Sequence, residues 1–261
     1  MPVITLTTDL GLNDHYVGAV KGGLIKGCPE ATIVDISHLI PPYNILQAAF
    51  TLKNAFTAFP EGSIHIVGVT PTVELDTQHL LIKEDGHYFI GADNGLFSLL
   101  FPQKPKKVYR LNIVAQPEFM SFPTRDIYTK AACHIAQGGT PEMIAVASDE
   151  ILERSMFQAT TVGNLIKGMV IHVDHYGNII TNIDEQLFNS FGRNRNFKIE
   201  FRHGNYDITE VNKSYSDVPQ GEKLALFSSN KMLEIAMNQG NASQLLGISE
   251  SDTIRIEFYD R

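Results

Sequence analysis

Val3-Ile4-Thr5-Leu6-Thr7-Thr8-Asp9-Leu10-Gly11-Leu12-Asn13-Asp14 runs from six residues rich in β-branched side chains into a polar turn. β-Branched runs bounded by Gly, Asn and Asp read as strands. Residues 15–26 then read as a helix stopped by Gly27 and Pro29, and residues 32–36 as a second strand. Asn44 is placed to cap a helix over residues 45–59, ended by Pro60-Glu61-Gly62. Residues 63–69 form an almost wholly apolar run, the mark of a strand buried on both faces. Strand and helix alternating in this way predict an α/β layer with a mainly parallel sheet.

The rest of the N-terminal half fits that reading. Residues 79–83 and 88–90 flank Asp85-Gly86, a hairpin signal. Residues 126–137 read as a helix closed by Gly138-Gly139, and Thr140-Pro141-Glu142 as the start of another. After about residue 160 the rhythm changes to short strands at 165–173, 179–183, 197–201, 206–211, 223–227 and 253–258, with helical patterns near 184–189 and Met232–Met237. The expectation is an N-terminal α/β domain over 1–155 and a smaller C-terminal, β-barrel-like domain over 163–261.

Composition removes several function classes. Of 261 residues, 43% are apolar, which excludes a wholly disordered chain. The formal net charge of −8 argues against a broad nucleic-acid footprint. The densest basic stretch, residues 104–107, is broken by Pro105 and reads as a solvated loop. No apolar run approaches the ~18 residues of a membrane span. No basic segment followed by an apolar one opens the chain, and there are only two cysteines, Cys28 and Cys133. A disulfide framework is excluded and a cytoplasmic protein is expected, with both thiols as small core residues.

Three local patterns can carry chemistry. Asp9 follows the first strand, where open α/β sheets bind ligands; it can take both hydroxyls of a ribose or simply cap the next helix. Asp93-Asn94-Gly95 reads as a turn. Asp174-His175-Tyr176-Gly177-Asn178 places a carboxylate, an aromatic and a carboxamide on one strand-turn, able to hold a stacked purine and a cation or to be a plain hairpin. His172 and His175 lack partners at metal-ligand spacing, so no metal is expected. Gly18, Gly22 and Gly23 miss the dinucleotide-binding spacing, and no GxSxG elbow occurs.

In order along the chain, Thr7-Thr8-Asp9-Leu10-Gly11, Ile33-Val34-Asp35-Ile36-Ser37-His38 with Pro41-Pro42, Gly91-Ala92-Asp93-Asn94-Gly95-Leu96, the Asp174–Asn178 segment through Ile183, and Leu233-Glu234-Ile235-Ala236 with Gly240-Asn241-Ala242 resemble one family. It is the S-adenosyl-L-methionine (SAM) hydroxide adenosyltransferases, or SAM hydrolases, relatives of the fluorinase and chlorinase. The resemblance covers essentially the whole chain. It implies a homotrimer that binds SAM between the N-domain of one subunit and the C-domain of its neighbour, with SAM as substrate and no cofactor. By position it implies that Asp9 binds the ribose hydroxyls and Tyr43 packs against the ribose. Tyr176 and Asn178 hold adenine, aided by backbone near Gly240-Asn241-Ala242. Asp174 faces the methionine ammonium, Ser229 its carboxylate, and Asp14 helps at the methionine end.

The water-activating groups of the hydrolases depart from the pattern. Their Asp position is Thr70, their Arg position falls on or near Thr77, and their His position is Pro123, followed by Thr124 where the fluorinase has a Ser. Glu74, Asp76 and His79 lie close enough in sequence to serve as substitutes, and Arg125-Asp126 reads as an ion pair or helix cap. Three readings follow: hydrolysis of SAM to adenosine and methionine with an altered water site, SAM or adenosine binding without turnover, and adenosyl transfer to another nucleophile such as halide.

Overall fold

The structure, a computed structural model, describes residues 1–71, 77–113, 121–155, 157–201 and 207–260. The chain divides into two compact units, Met1–Ser155 and Met156–Arg261.

The first unit runs β1 (Val3–Thr8), α1 (Tyr16–Gly27), β2 (Thr32–Ser37), α2 (Ile45–Ala55), β3 (Ile64–Gly68), β4 (His79–Glu84), β5 (His87–Ala92), α3 (Leu96–Leu100), β6 (Lys107–Leu111), a π-helical turn (Thr124–Tyr128), α4 (Thr129–Ala136) and β7 (Ala145–Ser148). Its strands form one sheet in the order β2-β1-β3-β5-β4-β6-β7. β2, β1, β3 and β5 are parallel. The hairpin through Asp85 and Gly86, with φ of +48° and +79°, reverses the direction, and β4, β6 and β7 are antiparallel. The expected parallel sheet thus makes up one half of the layer.

Helices cover both faces. α1 and α4 pack on the side of Ile4, Leu6, Ile66 and Leu81, and α2 and α3 on the side of Val67, Leu80 and Phe89. β3 is buried along its whole length. Its one polar side chain, His65, bonds the Thr5 hydroxyl at 2.7 Å and His87 at 3.1 Å, and burial brings its pKa down to about 3. Asn44 caps α2 by accepting from the Gln47 amide at 3.0 Å. Thr140-Pro141-Glu142 opens only a 3-10 turn, Pro141–Met143, before β7 begins.

The second unit runs β8 (Thr160–Val162), β9 (Leu165–Val173), β10 (Ile179–Asp184), α5 (Glu185–Gly192), β11 (Asn196–Glu200), β12 (Lys223–Phe227), β13 (Met232–Met237), α6 (Ala242–Leu246) and β14 (Thr253–Tyr259). The sheet is a curled antiparallel half-barrel in the order β11-β14-β9-β10-β13-β12, with β8 beside β9. Segment 206–211, expected as a strand, makes only isolated bridges in its described part: Ile208 pairs with Ile199 of β11, while Asn212 just beyond pairs with Leu226 of β12. Those bridges run along both free edges of the half-barrel.

Met232–Met237, read from sequence as helical, is strand β13 between β10 and β12. Leu233 and Ile235 enter the core with Ile166, Ile179 and Ile256, while Ala236 joins a small second cluster with Leu224 and Leu226. Sheet pairing on both sides overrides a short pattern that fits either period.

Candidate active site

The strand order β2-β1-β3 places a topological switch at the carboxyl ends of β1 and β3, since β1 leads to one side and β3 to the other. Open α/β sheets bind ligands in such a crevice. Asp9 stands there, one residue past β1, and its Oδ2 accepts the Tyr43 amide at 3.1 Å and the Thr70 amide at 3.3 Å. Both donors have left-handed backbones, with φ of +68° at Tyr43 and +44° at Thr70. That conformation is unusual for any side chain and costly for a β-branched one. The carboxylate therefore gathers loops from β1, β2 and β3 at one point, with Oδ1 unbonded among the described residues. It is not used as a cap of α1, whose N-terminus has no side-chain cap.

Two further devices hold this loop cluster. Asn94 donates from one Nδ2 to the carbonyls of Val69 and Thr70, each at 3.0 Å, and its Oδ1 receives the Leu96 amide at 3.1 Å. The Asp93–Gly95 turn is thus a clamp on the Thr70 loop. His38 bonds the Thr8 hydroxyl at 2.7 Å through Nδ1 and lies 3.0 Å from Asp35 Oδ1 through Nε2. Its carbonyl takes the Gly11 amide at 2.8 Å. Both clamps couple residues 24 to 30 positions apart, a separation that no local pattern reveals.

Thr124 is fully buried at the start of the π-helical turn, packed so closely on Gly68 that a Cβ there would lie 2.6 Å from its methyl. The buried hydroxyls of Thr70 and Thr124 have no hydrogen-bond partner among the described residues. π-Turns concentrate at functional sites. Arg125 and Asp126 form a bidentate ion pair at 2.8 and 2.9 Å. His79 lies 3.0 Å through Nδ1 from the buried Tyr128 hydroxyl, and burial lowers its pKa, keeping the ring neutral at pH 7. Thr77 is half-buried and Asp14 is exposed. Glu74 and Asp76 lie outside the described residues.

In the second unit, Asp174, Tyr176, Asn178 and Asn241 line one open cavity of about 640 Å³, together with Tyr215, Met237, Gln239 and Gly240. Asp174 closes the β9–β10 hairpin: Oδ1 takes the amides of Tyr176 and Asn178 at 2.9 and 2.8 Å, and Oδ2 takes Asn178 Nδ2 at 3.0 Å. Tyr176 is 74% exposed, so its ring face is available for stacking. Gly177, at φ +83°, lets Asn241 approach to where a Cβ would be 2.2 Å away. Asn241 also caps α6 through the Gln244 amide at 2.8 Å. Ala242 is buried as the first residue of α6, and Ser229 is exposed in the β12–β13 turn; neither lines the cavity. Sequence reasoning missed Tyr215 and Glu234, joined by a hydroxyl-to-carboxylate bond of 2.6 Å.

The domain models of the SAM hydroxide adenosyltransferases match both units, the N-terminal one at residues 4–145 and the C-terminal one at residues 168–255. The chain belongs to the SAM hydroxide adenosyltransferase family. An (R)-S-adenosyl-L-methionine hydrolase from Methanocaldococcus jannaschii is 33% identical over 271 residues, covering 98% of this chain and 96% of that one. A fluorinase from Actinoplanes sp. is 25% identical over 214 residues, covering 70% and 72%. The crystal structure of an uncharacterized conserved protein from Thermotoga maritima superposes with a TM-score of 0.87 at 28% identity, over 98% and 99% of the two chains. The hydroxide adenosyltransferase fold thus extends over nearly all of the chain. No helix among the described residues is long and apolar enough to cross a membrane.

Proposed function

We propose that this protein cleaves SAM with water to adenosine and methionine. The observation that carries the reading is the Asp9 carboxylate, fixed by two backbone amides at the β1/β3 switch point, with its other oxygen unbonded among the described residues and suited to a ribose diol. The relatives named as (R)-SAM hydrolases support it along the full length. In this reading a water oxygen attacks C5′ of the ribose, and the C5′–S bond breaks with its electron pair on sulfur. Methionine leaves as a neutral thioether and the water proton passes to solvent. Asp9 orients the ribose and Tyr43 packs on it. Tyr176, Asn178, Asn241 and the Ala242 backbone hold adenine. Asp174 receives the ammonium, with Ser229 and Asp14 at the same end.

A leaving group that departs neutral makes alignment and desolvation the main tasks. A general base contributes about 10²–10⁴-fold, so its loss slows such a reaction without stopping it. The buried hydroxyls of Thr70 and Thr124 are the groups of this chain suited to hold the nucleophile. We extend the proposal to a homotrimer in which the N-terminal unit of one subunit and the C-terminal unit of its neighbour share each ligand, in the cytoplasm and without a cofactor.

One observation favours a second reading. Thr70 and Pro123 stand where the resemblance places the water-activating Asp and His; in this second reading the protein binds SAM or adenosine without turnover, or passes the adenosyl group to an anion held by the same hydroxyls. Incubation with SAM in chloride buffer, with and without fluoride, separates these readings by product. Adenosine and methionine above the spontaneous background support hydrolysis. A 5′-halo nucleoside establishes transfer, and bound ligand with no product establishes binding alone. A Thr70→Asp, Pro123→His double variant sharpens the test, because Asp tolerates the left-handed backbone at position 70 better than Thr does. A large gain in adenosine formation shows a scaffold competent for hydrolysis. Light scattering tests the trimer, which a monomer at micromolar concentration refutes.

A further inference from the structure

Glu234 is 4% exposed on β13, and no arginine or lysine bonds it among the described residues. Its Oε1 accepts the Tyr215 hydroxyl at 2.6 Å, while the neighbouring Ser228 hydroxyl donates to Asn230 Oδ1 at 2.8 Å. Tyr215 opens a 3-10 turn, Tyr215–Asp217, fixed by a capping box between Ser214 and Asp217. The ring is therefore held from both ends, by its backbone turn and by its hydroxyl. It also forms part of the wall of the Asp174 cavity. A buried carboxylate is expensive unless a positive charge or several donors compensate it. One neutral hydroxyl compensates Glu234 only in part, and Asp174 adds a second negative charge to its surroundings. A glutamine would fill the same space and bond the same tyrosine at lower cost, so the charge itself calls for a role.

We propose that Tyr215, with its proton committed to Glu234, is a ligand-contacting acceptor that works beside Asp174 to select the ammonium group at the amino-acid end of the adenosyl ligand. The inference rests on the reading of this cavity as the adenosyl-ligand site. The hydroxyl donates its one proton to the carboxylate, so toward the cavity it offers only lone pairs. A Tyr–carboxylate pair of this kind is an acceptor and cannot serve as a donor, which excludes a carboxylate at that spot and favours a donor, best a charged –NH3+ group. Glu234 is a positioning residue that acts through Tyr215.

Calorimetric titration of the full-length protein with two inert ligands tests this. S-adenosyl-L-homocysteine carries the amino-acid end; 5′-methylthioadenosine has the same thioether nucleoside without it. Tyr215→Phe and Glu234→Gln are each expected to weaken S-adenosyl-L-homocysteine by about tenfold, the scale of one charge-assisted hydrogen bond, and to leave 5′-methylthioadenosine within about twofold. Burial raises the Glu234 pKa, the Asp174 charge adds to that, and the Tyr215 hydroxyl opposes it. Wild-type affinity for S-adenosyl-L-homocysteine should therefore fall as pH drops through that raised value, with a shallower fall in Glu234→Gln. Equal losses for both ligands, or no loss for either, overturn the proposal. Wild-type protein that binds neither ligand overturns the reading of the cavity itself. Should Glu234→Gln fail to fold, Tyr215→Phe and the wild-type pH profile decide.

Discussion

Asp9→Asn and Asp9→Ala separate two jobs that one carboxylate performs. Oδ2 holds the Tyr43 and Thr70 amides at 3.1 and 3.3 Å, and Oδ1 is assigned to the ribose in the proposed function. Asparagine turns its carbonyl oxygen toward the two amides and its NH2 toward the ligand, so the loops stay gathered while the acceptor for the ribose diol is lost. Alanine removes both. Hydrogen bonds to a charged group are worth about 1.5–3 kcal/mol each; these two are long and partly exposed, so the lower end applies and Asp9→Ala should cost about 2–3 kcal/mol of stability. For a unit of this size that shifts Tm by about 5–10 °C. Asp9→Asn should stay within a few degrees of wild type by calorimetry, yet bind adenosine about 10–100-fold more weakly through the loss of a charge-assisted acceptor. Unchanged adenosine affinity in Asp9→Asn refutes the ribose assignment. An unchanged melting temperature in Asp9→Ala refutes the view that this carboxylate keeps two strained backbones in place.

Gly177→Ala should destabilise the second unit by about 1–3 kcal/mol and weaken adenosyl-ligand binding, because the new methyl meets Asn241 and the backbone is left-handed. Gly163→Ala, at φ +61° with open space around it, is the control and should cost only about 1 kcal/mol of backbone strain in urea melts. His65, with its pKa near 3 in the fold against 6.5 unfolded, makes the unfolded state the better proton binder below pH 6.5. Stability should then be lost as pH falls from 6.5 toward 3, by about 2 kcal/mol at pH 5 relative to pH 8, and His65→Gln should show a flatter profile in denaturant titrations. The Cys133 thiol, pushed up to about 12 by burial and by Cys28, should resist a thiol reagent at pH 8 until the chain unfolds.

The elements legible in the sequence are those whose local chemistry and tertiary setting agree. β1 ends at Thr8 because a polar turn begins at Asp9, α2 starts where Asn44 can cap it, and the β4–β5 turn sits on Asp85-Gly86. Met232–Met237 was misread because six residues with apolar positions on both periods carry no preference of their own. β6 and β7 were not foreseen, since they owe their pairing to β4 on one side and to each other. The site divides in the same way. Asp9, Asp174 and Asn178 follow strands in sequence and can be read from that placement. The acceptor role of Tyr215 depends on a carboxylate 19 residues away, and the Asn94 clamp on Thr70 spans 24.

In the proposed site, the parts assigned to the nucleoside and the parts that would activate a nucleophile are built from different materials, and this explains how one can change without the other. The cradle at Asp9 is made of backbone amides, left-handed loop positions and clamps on main-chain carbonyls. A side-chain substitution in the Thr70 loop leaves the amide of residue 70 still bonded to Asp9. The hydroxyls of Thr70 and Thr124, in contrast, are buried side-chain groups without a partner among the described residues, the part of the proposed site that an exchange of side chain changes directly. Displacement at C5′ tolerates such an exchange because the sulfonium already supplies the driving force through its neutral leaving group, and orientation supplies most of the rest. A scaffold arranged this way can run with water, with an anion, or slowly with neither well activated, while its demand for an adenosyl ligand stays the same.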